Sequence, residues 1–327
     1  MSNVSVLGAG GWGTALSIIL ANKNHNVTLW GRDKEKCEKM SHIRENSVHL
    51  PNIKLPDNLI ITSDIQKNLK IAEYIIFAVP AQHLRKIVDQ LRFFIPEKVI
   101  IVNVSKGIEN ATYERMSQVL QNELPGKHHN NIVVLSGPSH AEEVAKNKYT
   151  TVVAAGYDVE KAKLVQELFA SDFFKVFIEE DIVGVELGGA LKNCLGIASG
   201  IMDGMGYGDN IKSTILVSGF NEMVKLGVKL GALEKTFFGI SGLGDALATC
   251  KSLHSRNRFF GEMIGKGRKK NEILKETSAI IEGLATLKSV HDIAQKIDVN
   301  IPLFETVYDI VYNEKNSDIL IKKFMSN

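Results

Sequence analysis

A chain of 327 residues with 44% hydrophobic and 23% charged residues has the balance of a folded globular protein, which excludes a disordered, collagen-like or small disulfide-stapled chain. Lysine and arginine total 39 against 37 acidic residues, a net charge of +2, so neither nucleic acid nor an anionic membrane is expected as the main partner. At about 150 residues per domain, the length points to two domains, each able to bury its own core.

Short β-rich runs come first: Val4–Leu7, Val27–Trp30, Leu59–Thr62, Tyr74–Val79, Val99–Val104, Ile132–Ser136 and Thr151–Ala155. Several are near-continuous Val/Ile stretches, the pattern of parallel strands covered on both faces. Helix-like segments such as Gly13–Asn24, Gln82–Phe94 and Ala111–Asn122 lie between them, and Phe173–Ile178 adds an edge strand. This alternation predicts an α/β fold with a doubly wound parallel sheet, Rossmann-like, with right-handed crossovers. From about Asp181 the texture becomes helical, with Ile182–Met202, Ile211–Leu230, Glu272–Ile297 and Ile301–Glu314 carrying helical apolar spacing. The boundary is placed near 185–190, giving a dinucleotide-binding domain over 1–187 and an all-α substrate-binding and catalytic domain over 188–327.

Gly8-Ala9-Gly10-Gly11-Trp12-Gly13 is a GxGxxG directly after the first strand and opening a helix. Gly8 suits the tight turn, Gly10 the close approach of backbone to ligand, and Gly13 the packing of helix on strand. The helix start then offers N–H groups and a positive dipole to a pyrophosphate. At the end of the second strand stands Trp30-Gly31-Arg32-Asp33. Arg32 suits a 2′-phosphate, whereas Asp33 comes late for the carboxylate that would hold a ribose hydroxyl, so NADP is the preferred cofactor and NAD the second.

Polar residues mark three further places. Ser105-Lys106-Gly107 and Ser136-Gly137-Pro138-Ser139 follow strands at their carboxyl ends, the edge where α/β sheets bind ligands. Lys192 and Asn193 interrupt a helix otherwise rich in small residues, among them Gly188, Gly189, Gly196 and Gly200. A lysine placed there, desolvated and near a second cation, would have a lowered pKa suited to proton transfer. Gly242-Leu243-Gly244-Asp245 and Ser255-Arg256-Asn257-Arg258 come next. The stretch Lys251–Lys270 has seven basic residues against Glu262 alone, an excess able to hold a phosphate through Arg256, with Gly265–Lys270 read as a solvated loop.

Cys37, Cys194 and Cys250 are too widely spaced for a disulfide framework or a metal clip, and the histidines form no ligand spacing. No metal is expected, and the location expected is the cytoplasm. His128 and His129 read as solvated loop residues. Val4–Leu20 is apolar but lacks a preceding basic residue and is interrupted by glycines, unlike a signal peptide. No run reaches the ~18 apolar residues of a membrane span.

Together, GAGGWGTAL, VTLWGR, FAVPAQ, SKGIE, SGPSHAEE, DIVGVELGGALKN, GLGDALATC, SRNRFFG and IIEG resemble, in this order and over nearly the whole chain, the bacterial NAD(P)-dependent glycerol-3-phosphate dehydrogenases. The resemblance implies interconversion of dihydroxyacetone phosphate and sn-glycerol 3-phosphate, run mainly toward the latter to supply phospholipid synthesis, by a homodimer. It implies Lys192 as the proton-transfer residue and Lys106 as touching both substrate and cofactor, with Asp245 as the third catalytic group. It further implies substrate contacts at Gly137, Ser139, Asp245, Ser255, Arg256 and Asn257; Asn193, next to Lys192, is a further candidate substrate contact. Cofactor contacts fall at Gly11, Trp12, Arg32, Ala141, Arg256, Ile280 and Glu282, beside the glycine turn itself. Gly11 stands where that family usually has Ser, His140 where Phe is common, Cys194 where Val is common and Ser218 where Arg is usual. The competing readings are a hydroxyacid dehydrogenase of similar two-domain build and a non-catalytic dinucleotide sensor; the latter predicts loss of the polar residues Lys106, Lys192 and Asp245, all of which are present.

Overall fold

The computed structural model describes residues 1–277 and 280–325. The chain forms two units: unit 1 comprises Met1–Ser105 and Met116–Ile182, unit 2 Lys106–Arg115 and Val183–Asn327.

Unit 1 carries β1 (Asn3–Leu7), α1 (Gly11–Asn22), β2 (Asn26–Trp30), α2 (Lys34–Ile43), β3 (Ile60–Thr62), β4 (Tyr74–Phe77) and α3 (Leu84–Leu91). It continues with β5 (Ile100–Asn103), α4 (Met116–Glu123), β6 (Ile132–Ser136), β7 (Thr150–Gly156), α5 (Val159–Phe169) and β8 (Phe174–Glu179). The sheet order is β8-β7-β6-β5-β4-β1-β2-β3. β1 pairs in parallel with β2 on one side and β4 on the other, so the chain order reverses at β1, where such sheets open a crevice. All residues of β5 and β6 are buried, which is why their sequences read as unbroken apolar runs. The apolar segment Val4–Leu20 is the central strand and first helix of this core.

Three details depart from the sequence reading. β7 runs antiparallel to β6, because Gly137–Tyr149 returns with only a single helical turn at Ala141–Val144 instead of a full crossover helix. The helix expected over Ala111–Asn122 starts at Met116: Tyr113 has φ 63°, left-handed backbone that a helix cannot contain, and Ile108 and Arg115 form an antiparallel bridge. His128 is buried in the turn Gly126–Asn131, where desolvation holds its imidazole below the usual range.

Unit 2 carries α6 (Ile182–Gly204), α7 (Asp209–Lys229), α8 (Asp245–Lys251), α9 (Arg256–Gly265), α10 (Lys270–Glu276), α11 (Glu282–Lys296), α12 (Pro302–Tyr312) and α13 (Ile319–Met325), with a single helical turn at Glu234–Phe237 and a π-helical turn at Ile240–Gly244 between α7 and α8. The single helix expected over Glu272–Ile297 is thus α10 and α11; Ser278 and Ala279 lie outside the described residues. The division after Ile182 falls earlier than the expected 187/188 because α6 is continuous from that point, and residues 106–115 go with the helices. Ile108 is buried in their core, Ser289 Oγ bonds Ile108 O and Asn110 Oδ1, and the buried carboxylate of Glu186 pairs with Arg115.

α6 has the length and hydropathy of a membrane span, but 94% of its apolar window is buried inside the protein. Its Gly188, Gly196, Gly200 and Gly204 recur at multiples of four and so lie along one inclined ridge of the helix. A Cβ on Gly200 would lie 1.9 Å from Arg258 O, and one on Gly196 would lie 2.8 Å from Thr249 Cγ2. Lys192 falls on the same row, so the one long side chain of this seam is directed at α8.

Glu222 on α7 accepts from Leu303 N at 2.7 Å and Phe304 N at 3.0 Å, capping the start of α12. Burial pushes its carboxyl up to about 7 despite these two donors, from an ordinary value of 4.5. An acid raised in the folded state contributes stability that is full below its unfolded pKa and lost as pH climbs through the folded one. Glu222→Gln, which cannot ionise, is therefore expected to gain on the wild type by up to about 3 kcal/mol between about pH 5 and pH 8. Paired thermal melts check this; a difference between the two chains that stays constant with pH refutes it.

Candidate active site

In unit 1 the glycine turn is built by backbone geometry. Gly8 has φ 122°, and a Cβ there would lie 2.4 Å from Ala78 O; a Cβ on Gly13 would lie 2.0 Å from Gly8 O. A Cβ on Gly10, by contrast, would meet nothing within 4 Å, so the turn is open on the side a ligand would use. Thr14 N makes the first bond of α1, to Gly10 O at 3.0 Å, leaving the N–H groups of Gly11, Trp12 and Gly13 without intrahelical partners. Gly10 caps α1 with no side chain, and no acidic residue occupies the first turn. The indole Nε1 of Trp12 is shielded from solvent and unpartnered among the described residues. Ala141 lies against the turn, its Cβ 3.5 Å from where one on Gly11 would stand. These features fit a dinucleotide pyrophosphate.

Arg32 is exposed at the end of β2. Asp33 caps α2, accepting from Lys36 N at 3.1 Å, and this backbone bond holds its carboxyl below the ordinary range. That carboxylate is committed to the helix, whereas Arg32 beside it is exposed. At the end of β6, Gly137 has φ 142°, and Ser139 Oγ donates to Gly137 O at 2.9 Å.

In unit 2 three predicted residues meet. Asp245 is 2% exposed; its Oδ2 accepts from Lys106 Nζ at 2.7 Å and its Oδ1 lies 3.2 Å from Lys192 Nζ. Burial pushes the Asp245 carboxyl up, but the two ammonium groups together more than offset this and hold it below the usual range. Burial pulls the Lys192 pKa down; the Lys106 charge adds to this and Asp245 opposes it. With both lysines charged, the centre is net positive.

Lys192 Nζ also donates to Thr249 Oγ1 at 2.7 Å. An ammonium has three donors, so Asp245 and Thr249 leave one N–H for a substrate oxygen. Thr249 was missed in the sequence. Its signal was the spacing, since Asp245 and Thr249 are four apart on α8 and share a face.

Asn193 and Asn257 are buried and bonded to each other, Asn257 Nδ2 donating to Asn193 Oδ1 at 2.8 Å. Asn257 Oδ1 in turn accepts from Gly283 N at 2.9 Å, which brings Arg256 and Asn257 near the start of α11 at Glu282; Ile280, just before it, is exposed. Ser255 caps α9, its Oγ accepting from Arg258 N at 3.2 Å. Much of the basic excess of this region is spent internally: Arg258 pairs with Asp203, Lys266 with Glu262, Arg268 with Glu276 and Lys269 with Glu314. Arg268 and Lys269 lie in the exposed loop expected there, and their partners Glu276 and Glu314 are themselves exposed. Arg256 is exposed and makes no ion pair among the described residues. No cluster of metal-binding side chains occurs among the described residues.

A doubly wound sheet with an open glycine turn, joined to a helical unit holding a desolvated amine, defines a two-unit dehydrogenase of the nicotinamide class. Residues 3–162 match the family model for the NAD-dependent glycerol-3-phosphate dehydrogenase N-terminus, and residues 181–322 that for its C-terminus. The chain belongs to this family. It is 40% identical over 326 residues to the glycerol-3-phosphate dehydrogenase (NAD(P)+) of Bacillus velezensis, covering 100% of this chain and 94% of the relative. It is 44% identical over 309 residues to that of Carboxydothermus hydrogenoformans, covering 94% and 92% of the two chains. The crystal structure of glycerol-3-phosphate dehydrogenase from Coxiella burnetii is similar with a TM-score of 0.94 at 32% identity, over 100% of this chain and 99% of that one.

Proposed function

We propose that this protein is an NAD(P)-dependent glycerol-3-phosphate dehydrogenase that interconverts dihydroxyacetone phosphate and sn-glycerol 3-phosphate, running mainly toward the glycerol phosphate to supply phospholipid synthesis. The observation that carries the chemistry is the buried Lys192 amine, held by Asp245 and Thr249 with one N–H to spare. The nicotinamide, when bound, supplies the hydride that adds to the ketone carbon. Lys192 stabilises the charge growing on the ketone oxygen and gives it a proton; in the oxidation its neutral form takes the proton from the hydroxyl. Asp245 fixes both ammonium groups, and Lys106 contributes positive potential at the same centre.

Arg256 and the first N–H groups of α9 hold the phosphate, with Ser255 and Asn257 beside them, so that binding far from the reacting carbon orients it. Gly137, Ser139 and Asn193 complete the substrate contacts. Gly8, Gly10, Gly11, Trp12, Gly13 and Ala141 hold the dinucleotide, with Lys106, Arg256, Ile280 and Glu282 as further contacts. A homodimer in the cytoplasm is the proposed state.

Initial rates with dihydroxyacetone phosphate, comparing NADPH with NADH, test the activity and the cofactor preference together; no oxidation of either refutes the reading. In the same assay Arg32→Ala is expected to raise KM for NADPH by about tenfold or more, the loss of one charge-assisted phosphate contact, with NADH little affected. An unchanged NADPH/NADH ratio would remove Arg32 from cofactor choice.

A further inference from the structure

A small hairpin, Glu45–Asn46 paired with Leu50–Lys54, rests on the glycine turn of unit 1. Its one buried polar side chain, Asn46, is 2% exposed. Asn46 Nδ2 donates to Ala9 O at 3.0 Å and to Thr14 Oγ1 at 2.8 Å, while its Oδ1 accepts from His49 N at 3.2 Å. Two donors and one acceptor on one short side chain are what an asparagine alone provides at this reach. A second observation places the hairpin on the same turn: a Cβ on Gly11 would lie 2.9 Å from His49 O.

From this geometry, and resting on the dinucleotide reading above, we propose that Asn46 is a positioning residue for the cofactor. Ala9 and Gly10 share a trans peptide, in which the carbonyl and the N–H point in opposite directions. By holding the Ala9 carbonyl toward the hairpin, Asn46 turns the Gly10 N–H the opposite way and sets the plane from which α1 begins. The amides of the turn are thereby fixed before any ligand arrives, which lowers the ordering cost of binding a pyrophosphate. The close fit of the hairpin leaves no room for a side chain at position 11, in keeping with the glycine found there.

The test is titration of the full chain with NADPH, read by quenching of tryptophan emission, since Trp12 lies within the turn. Asn46→Ala is expected to weaken NADPH binding by about tenfold, with kcat at saturating NADPH and KM for dihydroxyacetone phosphate changed less than about threefold. Asn46→Asp keeps the acceptor for His49 and the side-chain volume but loses both donors; it should weaken binding at least as much, and it decides the matter if the alanine variant does not fold. Thr14→Val, which removes only the hydroxyl, should remain within about twofold. Binding as tight as wild type in either Asn46 variant overturns the proposal, as does a Thr14→Val loss equal to that of Asn46→Ala, which would assign the effect to seating of the hairpin. A wild-type chain that bound neither NADPH nor NADH would instead overturn the dinucleotide reading.

Discussion

Replacing Lys192 with alanine is expected to lower kcat for dihydroxyacetone phosphate reduction by at least about 10²-fold, the size of a lost proton-transfer group, while NADPH affinity stays nearly unchanged. The reason is local. The Lys192 ammonium has two of its donors fixed by Asp245 and Thr249, so its remaining N–H has a set direction. Burial lowers its pKa, as does the Lys106 charge, which makes the amine a better acid than a solvated lysine. The sign of the pH dependence follows. Reduction needs the protonated amine and should fall as pH rises through its pKa, whereas oxidation needs the neutral amine and should rise over the same range. Near-normal turnover in the alanine variant, measured at saturating NADPH, would remove Lys192 from the chemistry.

Asp245→Asn should damage both activity and stability. The carboxylate lies between two ammonium groups and is itself almost fully buried. Removing the charge leaves Lys106 and Lys192 facing each other across a neutral amide, and breaking a buried pair in this way costs about 3–5 kcal/mol. Loss of Asp245 also removes the interaction that raises the Lys192 pKa. The alkaline fall in dihydroxyacetone phosphate reduction should therefore move to lower pH in the variant, a displacement that a general loss of folding would not produce. Thermal melts and pH–rate profiles of the same preparation separate the two effects. An unmoved profile would mean that Asp245 does not set the charge on Lys192.

Local patterns carried most of this fold into view. The glycine turn after an apolar run, the alternation of strands and helices, and the break near Asp181 each follow from short-range rules of backbone and burial. What the chain text does not carry is direction and partnership over long range. Whether β7 runs with or against β6 depends on a connection whose path is set by tertiary packing. His128 reads as a solvated loop residue because its neighbours are polar, yet its own side chain is buried while the turn around it stays largely exposed. At the site, Lys106, Lys192 and Asp245 stood out as polar groups where polarity is costly. Thr249 and Asn46 did not, since a threonine in a helix and an asparagine at the turn of a hairpin have ordinary local reasons to be there. The basic stretch after Lys251 points to Arg256 as a phosphate holder, but not to which of its other charges are already paired: Arg258 and Lys269 meet Asp203 and Glu314 from far along the chain, while Arg256 is exposed and without an ion pair among the described residues.

The ten residues Lys106–Arg115 have a consequence for how this protein can be made and cut. Because they belong with the helices while the chain on either side belongs with the sheet, neither half is a contiguous piece of polypeptide. A fragment beginning at Val183 would lack the lysine that meets Asp245 and the arginine that meets Glu186, leaving two interior carboxylates each short of a cation. During synthesis the helical half must therefore wait for its last turns while its own strap, already made, stays accessible. The two halves mature as one molecule and not as beads on a string.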